Sequence, residues 1–214
     1  MMLKKIIPFL LVLLVSLLIL GCGSESVSDS LDSSLDLSLD DSGLIVTVND
    51  ESFYQTDIDD VKAAIFDQTG QEVTDQFALE QLVSQYLLLA EAEKRNIVVS
   101  DAQVESILER TIVATGSSLE ELKSQFSEED YAILLDRSRN QLKLRRLATS
   151  AATITITDED AKVFFEENKV KFSEDVVYED IADQLKQQIE QGATQEILTQ
   201  LLKELSSQAT ITYH

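Results

Sequence analysis

Three runs of carboxylates, Glu120-Glu121, Glu128-Glu129-Asp130 and Asp158-Glu159-Asp160, are the densest groups in the chain able to move protons. Catalysis by paired carboxylates needs two of them facing each other across a cleft in unlike environments. Each run instead follows a serine or threonine (Ser118, Ser127, Thr157) and falls in the first turn of a predicted helix. There, negative side chains offset exposed amide groups and the positive end of the helix dipole, so they read as helix-end electrostatics. The chain holds one cysteine, Cys22, and one histidine, His214. It therefore lacks a nucleophile triad, a His/Cys metal spacing and a phosphate-cradling glycine loop. Asp32, Asp36 and Asp40 recur every fourth residue without EF-hand spacing or a loop glycine, which suits a solvated spacer better than a calcium loop. No catalytic residue, metal or cofactor is expected.

Two groups have the chemistry of binding. Arg139, Lys143 and Arg146 share one helical face and form the one dense basic patch in an acidic chain. Pairing with acidic neighbouring helices is the plain reading, and a contact for acidic segments of a bound chain is the functional one. Phe164 and Phe165 are adjacent on a predicted helix and so point about 100° apart, while Phe172 lies beyond its end. Core packing is the default for all three. The alternative is an apolar cleft wall, since gripping an extended chain needs exposed apolar area in a concave frame.

The element that must position these groups runs from about Asp75 to Arg95. Leu79, Leu82, Val83, Tyr86, Leu87 and Ala90 follow one helical face, and Leu88 and Leu89 widen it, so the helix is expected to be covered on more than one side. Lys94 and Arg95 suit its carbonyl end, and Asn96 can take a left-handed conformation. Ser100 with Gln103 then caps a helix over 101–114, with Val104, Ile107, Leu108 and Ile112 inward and Gly116 past its end. Before the central helix, Leu44 to Val48 and Glu51 to Tyr54 read as short strands joined at Asn49-Asp50. Thr56 with Asp59 caps a helix whose apolar face is Ile58, Val61, Ala64 and Ile65, with a loop over 67–70. After it, Ser118 opens a short helix burying Leu119, Leu122 and Phe126. Ser127 opens a long one with Tyr131, Leu134, Leu135 and Leu142 inward, and Thr157 with Asp160 opens the helix of Phe164. Residues 154–156 are extended, and 178–205 is helical with an interruption at Gly192. The alternating end, 209–214, needs a strand partner, for which Leu44 to Val48 is the candidate, bringing the two ends into a single domain.

The start of the chain does not fit that pattern. Lys4 and Lys5 precede an apolar run from Ile6 to Leu20, a length that suits a signal-peptide core better than a membrane span. It ends in Leu18-Ile19-Leu20-Gly21-Cys22, which resembles the lipobox of bacterial lipoproteins. That resemblance implies a signal peptide over 1–21 and lipidation of Cys22. The alternatives are an uncleaved anchor or plain secretion with a chance cysteine. The Ser/Asp-rich stretch 22–43 reads as a disordered tether with a reach of about 25 Å. Losing Lys4 and Lys5 changes the formal charge from −22 to −24. Such acidity repels phosphate backbones, which excludes nucleic acid as a partner, and leaves the anchor as the membrane attachment.

The order of these elements is itself informative. The segments VNDESFYQTDID, LVSQYLLLAEAEKRNIVVSDAQVE, ITITDEDAKVFFEENKVKFS and LLKELSSQATITYH are similar to the N-terminal chaperone domain of SurA-like and PrsA-like foldases, in the trigger-factor/SurA peptide-binding superfamily. The resemblance spans nearly all of 44–214. It implies a mainly α, multi-helix chaperone module with a small β element pairing the N- and C-terminal strands. In that family a parvulin prolyl isomerase domain is often inserted between the helices, and here its place, near 173–177, holds no such domain. The histidines and the cysteine or aspartate of a parvulin site have no counterpart.

The resemblance therefore implies an ATP-independent envelope chaperone, a holdase, that binds unfolded or newly exported proteins without isomerase chemistry. It would be lipid-anchored outside the cytoplasm, with Phe164, Phe165, Phe172, Arg139, Lys143 and Arg146 as candidate client contacts. The other readings are a scaffold lipoprotein docking one specific envelope partner and, by family label alone, a prolyl isomerase. A homodimer is among the assemblies the sequence allows.

Overall fold

The computed structural model describes residues 43–113, 116–173 and 176–214. The expected signal peptide over 1–21, the lipidation site Cys22 and the tether up to 42 lie outside the described residues. No helix among the described residues is long and apolar enough to cross a membrane.

In chain order the elements are β1 (Leu44–Val48), β2 (Glu51–Tyr54), α1 (Gln55–Thr69), α2 (Asp75–Lys94), α3 (Asp101–Val113), α4 (Leu119–Lys123), α5 (Glu128–Ala151), α6 (Asp158–Glu167), a 3-10 turn (Lys169–Lys171), α7 (Tyr178–Gln208) and β3 (Ile211–Tyr213). The chain divides into two compact units, one made of residues up to Leu88 together with Leu201–His214, the other of Leu89–Gln200. Helices α2 and α7 each contribute to both units.

The first unit is built on a three-stranded antiparallel sheet in the order β2-β1-β3. Asn49 has a φ of 54°, which lets β1 fold back into β2, and asparagine tolerates that conformation better than most residues. It also ties down the returning end: Thr210 N–H donates to Asn49 Oδ1 at 3.1 Å, and Asn49 N–H donates to Thr210 O at 2.8 Å. Val46 faces Phe53 on one side and Tyr213 on the other, so the terminal strand finds the partner that its alternation requires. The buried residues of β1 (Ile45, Val46, Val48) belong to one core cluster with Ile58, Ala78, Leu79 and Leu87. Leu202, Leu205 and Ile211 close over it, and Phe53 meets Tyr86 edge-on at 5.3 Å.

In the second unit, Asn96 adopts the left-handed conformation (φ 57°) that ends α2. Ser100 and Gln103 exchange hydrogen bonds to open α3, which buries Val104, Leu108 and Ile112. Ser118 with Glu121 and Thr157 with Asp160 form the reciprocal caps of α4 and α6, and Ser127 caps α5. The three carboxylate runs thus sit in first helical turns.

Five local expectations are corrected. Helix α1 begins at Gln55, because β2 runs straight into it and Tyr54 N–H donates to Asp57 Oδ2 at 2.7 Å, so Thr56 is not its cap. The same helix continues to Thr69, and Gly70, with a φ of 68°, ends it where a loop over 67–70 was expected. On α2, Ala90 is exposed and Ala92 is fully buried, a rotation of the inward face near the carbonyl end. On α5, Leu144, Leu147 and Ala148 are the deepest apolar positions, while Tyr131, Leu134, Leu135 and Leu142 are half-buried. Helix α7 is continuous through Gly192: one glycine costs a helix only about 1 kcal/mol, and the apolar side chains Leu185, Leu198 and Leu201 are anchored on either side of it.

Candidate functional site

The first unit carries a concave surface. Its wall is α1, where Ile58 is fully buried while Val61, Ala64 and Ile65 are half-buried. Phe66 falls off that stripe and remains 49% exposed. Gly70 turns the chain back along the helix, and Val73 packs onto the core beneath. Between the helix and this returning segment lies a groove of about 400 Å³, lined by Lys62, Ala63, Phe66, Glu72 and Val73. A space of this size accommodates a large side chain with its flanking backbone.

The lining combines the apolar Ala63, Phe66 and Val73 with the charged Lys62 and Glu72. Lys62 Nζ donates to Asp75 Oδ1. That bond raises the ammonium pKa, partial burial opposes the rise, and the nearby carboxylates Asp75, Asp59 and Glu72 add to it. Phe77, at the start of α2, is a second aromatic left 36% exposed in the same unit. No group of three or more histidine, cysteine or acidic side chains placed to hold a metal ion occurs among the described residues. The arrangement offers accessible apolar side chains, Ala63 and Phe66, beside the charged Lys62, Glu72 and Asp75.

The second unit holds the aromatic residues selected from the sequence. Phe165 is only 6% exposed and packs with Ala161 and Leu185. Phe172 stacks on it with centroids 5.2 Å apart, and Tyr178 meets it edge-on at 6.0 Å. Phe164 and Phe172 are half-buried around this cluster, so the three phenylalanines are brought together chiefly as packing. Val163, Val170 and Val177 are exposed.

Arg139, Lys143 and Arg146 are brought into one row on α5, and each of the three has a partner. Arg139 bonds Asp101 and Asp136, Lys143 Nζ lies 3.1 Å from Glu93 Oε1, and Arg146 donates to the carbonyl of Val98. Together they fasten α5 to the end of α2 and the turn into α3. Nearby, Glu91 is buried, and its carboxylate accepts from Arg95 Nε at 2.7 Å, which holds its pKa below the usual carboxylate range.

Phe66 was not among the residues singled out from the sequence. The signal was present in a weak form: it is the one aromatic in α1, it lies next to the Ile58/Val61/Ala64/Ile65 stripe rather than on it, and a loop glycine follows four residues later.

The comparisons with known proteins agree with this architecture. A family model described as the SurA-like N-terminal domain matches residues 2–149. The chain is 26% identical over 160 residues to the foldase protein PrsA of Clostridium perfringens, an alignment that takes in 62% of this chain and 45% of that protein. The chain therefore spans under half the length of this curated relative. Among solved structures, one of two structurally related SurA-like chaperones of Campylobacter jejuni superposes with a TM-score of 0.57 at 15% identity, covering 80% of this chain and 99% of that one. The likeness in structure establishes the fold, mainly helical with a small antiparallel sheet. The family match takes in more than half of the chain, and the protein belongs to the SurA-like N-terminal domain family.

Proposed function

We propose that this protein is an ATP-independent chaperone of the cell envelope that holds unfolded segments of exported proteins and releases them without covalent chemistry. The observation that carries the reading is the Phe66 groove: an aromatic side chain half exposed beside Val73 in a concave frame, on a chain of a SurA-like family. An accessible aromatic side chain in a concavity is a place where another chain can bury an apolar side chain of its own. The formal charge of −22 supports the same reading, since it keeps a chaperone and its bound client dispersed.

Cys22 is the proposed attachment point, with the Ser/Asp-rich segment that follows acting as a tether. The half-buried Phe164 and Phe172, flanked by exposed Val163 and Val170, form a proposed second client contact. Arg139, Lys143 and Arg146 would take part only by exchanging their present partners for acidic client groups. Prolyl isomerase chemistry is not part of the proposal, because only residues 173–177 separate Phe172 from Tyr178. The test is light scattering of two unrelated denatured exported proteins diluted into buffer with the full chain. Suppression of both at near-equal molar ratio is the expected result. Failure to suppress either, from folded protein, would overturn the reading in favour of a scaffold for one specific partner.

A further inference from the structure

We infer that the Phe66 groove selects extended segments in which an apolar side chain is flanked by lysine or arginine, rather than apolar segments in general. The inference rests on the chaperone reading and narrows its substrate class. Lys62 and Glu72 both line the groove, and three carboxylates, Asp59, Glu72 and Asp75, act on the single ammonium of Lys62. Asp75 is bonded to that ammonium, so these two charges offset each other. Glu72, in the lining itself, and Asp59, near enough to act on Lys62, remain as a local excess of negative charge around the apolar Ala63, Phe66 and Val73. A neutral segment gains only the burial of its apolar side chain here. A segment with a cation next to that side chain gains the same burial and also meets the excess carboxylates.

The charge of the molecule decides among other occupants. A second copy would bring another −22 to the same place, and two such surfaces repel. The chain's own leucine-containing stretch after Cys22, Ser24 to Asp41, carries aspartates and a glutamate with no lysine or arginine, so it is repelled as well. A cationic amphipathic segment is the occupant whose chemistry fits both the apolar and the acidic residues of the groove. Two solvent-screened charge pairs at 6–8 Å favour it over a neutral segment by about five- to tenfold.

The test uses the full chain and fluorescein-labelled peptides with one central phenylalanine, followed by fluorescence anisotropy. Flanks of lysine, serine or aspartate are compared, with a lysine-flanked peptide carrying serine at the centre as the control for charge alone. The lysine-flanked phenylalanine peptide binds about five- to tenfold more tightly than the serine-flanked one, and the aspartate-flanked peptide binds weakest. The preference collapses at about 0.5 M salt, where the Debye length falls to about 4 Å. In a protein with Asp59→Asn and Glu72→Gln the preference falls towards one. Equal affinity for lysine and serine flanks in wild-type protein would overturn the inference. So would tight binding of the control peptide, or Phe66-dependent self-association in sedimentation. If no peptide binds while aggregation is still suppressed, groove selectivity fails alone. If suppression is absent too, the chaperone reading fails with it.

Discussion

Phe66 and Phe165 are both phenylalanines on helices, and the molecule treats them oppositely. Phe165 has Phe172 stacked on one face and Tyr178 against its edge, and it is 6% exposed. Phe66 has one wall, Val73 and Ala63, and half of it meets solvent. The difference lies in what the chain supplies next. After α6 it returns two further aromatics onto the helix, whereas after α1 it turns at Gly70 into a polar segment with Glu72 and Asp75. One aromatic is spent on holding its unit together, and the other is left available.

The sharpest way to break this comparison is to truncate each ring. Phe165→Ala is expected to destabilise its unit by about 3–5 kcal/mol, in the range for a buried aromatic, read as an earlier denaturant midpoint. Phe66→Ser should cost about 1 kcal/mol or less, since the ring is half exposed. Similar losses for both would show that Phe66 is core after all.

Two carboxylates repeat the contrast at smaller scale. Glu91 is buried with Arg95 as its partner, whereas Glu72 is exposed, and Lys62 at its side is already bonded to Asp75. Glu91→Gln should cost about 1 kcal/mol near neutral pH, and Glu72→Gln should lie within about 0.5 kcal/mol of wild type. Because the folded-state pKa of Glu91 is depressed, its contribution is present above the unfolded value of about 4.3 and is lost as pH falls through the folded value. The gap between wild type and Glu91→Gln should therefore close in acid, and a gap independent of pH would contradict the ion-pair account.

The smallest effect is expected at Gly192, where an added Cβ would meet nothing within 4 Å. Gly192→Ala should stabilise helix α7 by about 0.5–1 kcal/mol. A loss of stability there would mean that α7 needs the freedom of glycine.

Caps and turns were legible in the sequence because they are settled over three or four residues. Ser100, Ser118, Ser127, Thr157, Asn49 and Asn96 all behave as their types dictate. Where two local solutions competed the reading failed: Asp57 and Asp59 can both serve the start of α1, and the strand before it decides for Asp57. Burial along α2 and α5 was legible as a stripe but not in its rotation, because the depth of Ala92 or Leu147 depends on neighbours distant in sequence. The β1–β3 pairing was legible because a lone terminal strand has to find an edge. Phe66 was missed for the converse reason: periodicity finds the residues that a fold covers, and a binding surface is what it leaves uncovered.

The most direct measurement is the suppression of aggregation of a denatured exported protein by the full chain, wild type against Phe66→Ser, with thermal unfolding recorded on the same samples. The account predicts that the variant loses more than about half of the suppression while its Tm stays within about 4 °C of wild type. Equal suppression by the two proteins would contradict it and place client capture elsewhere on the molecule.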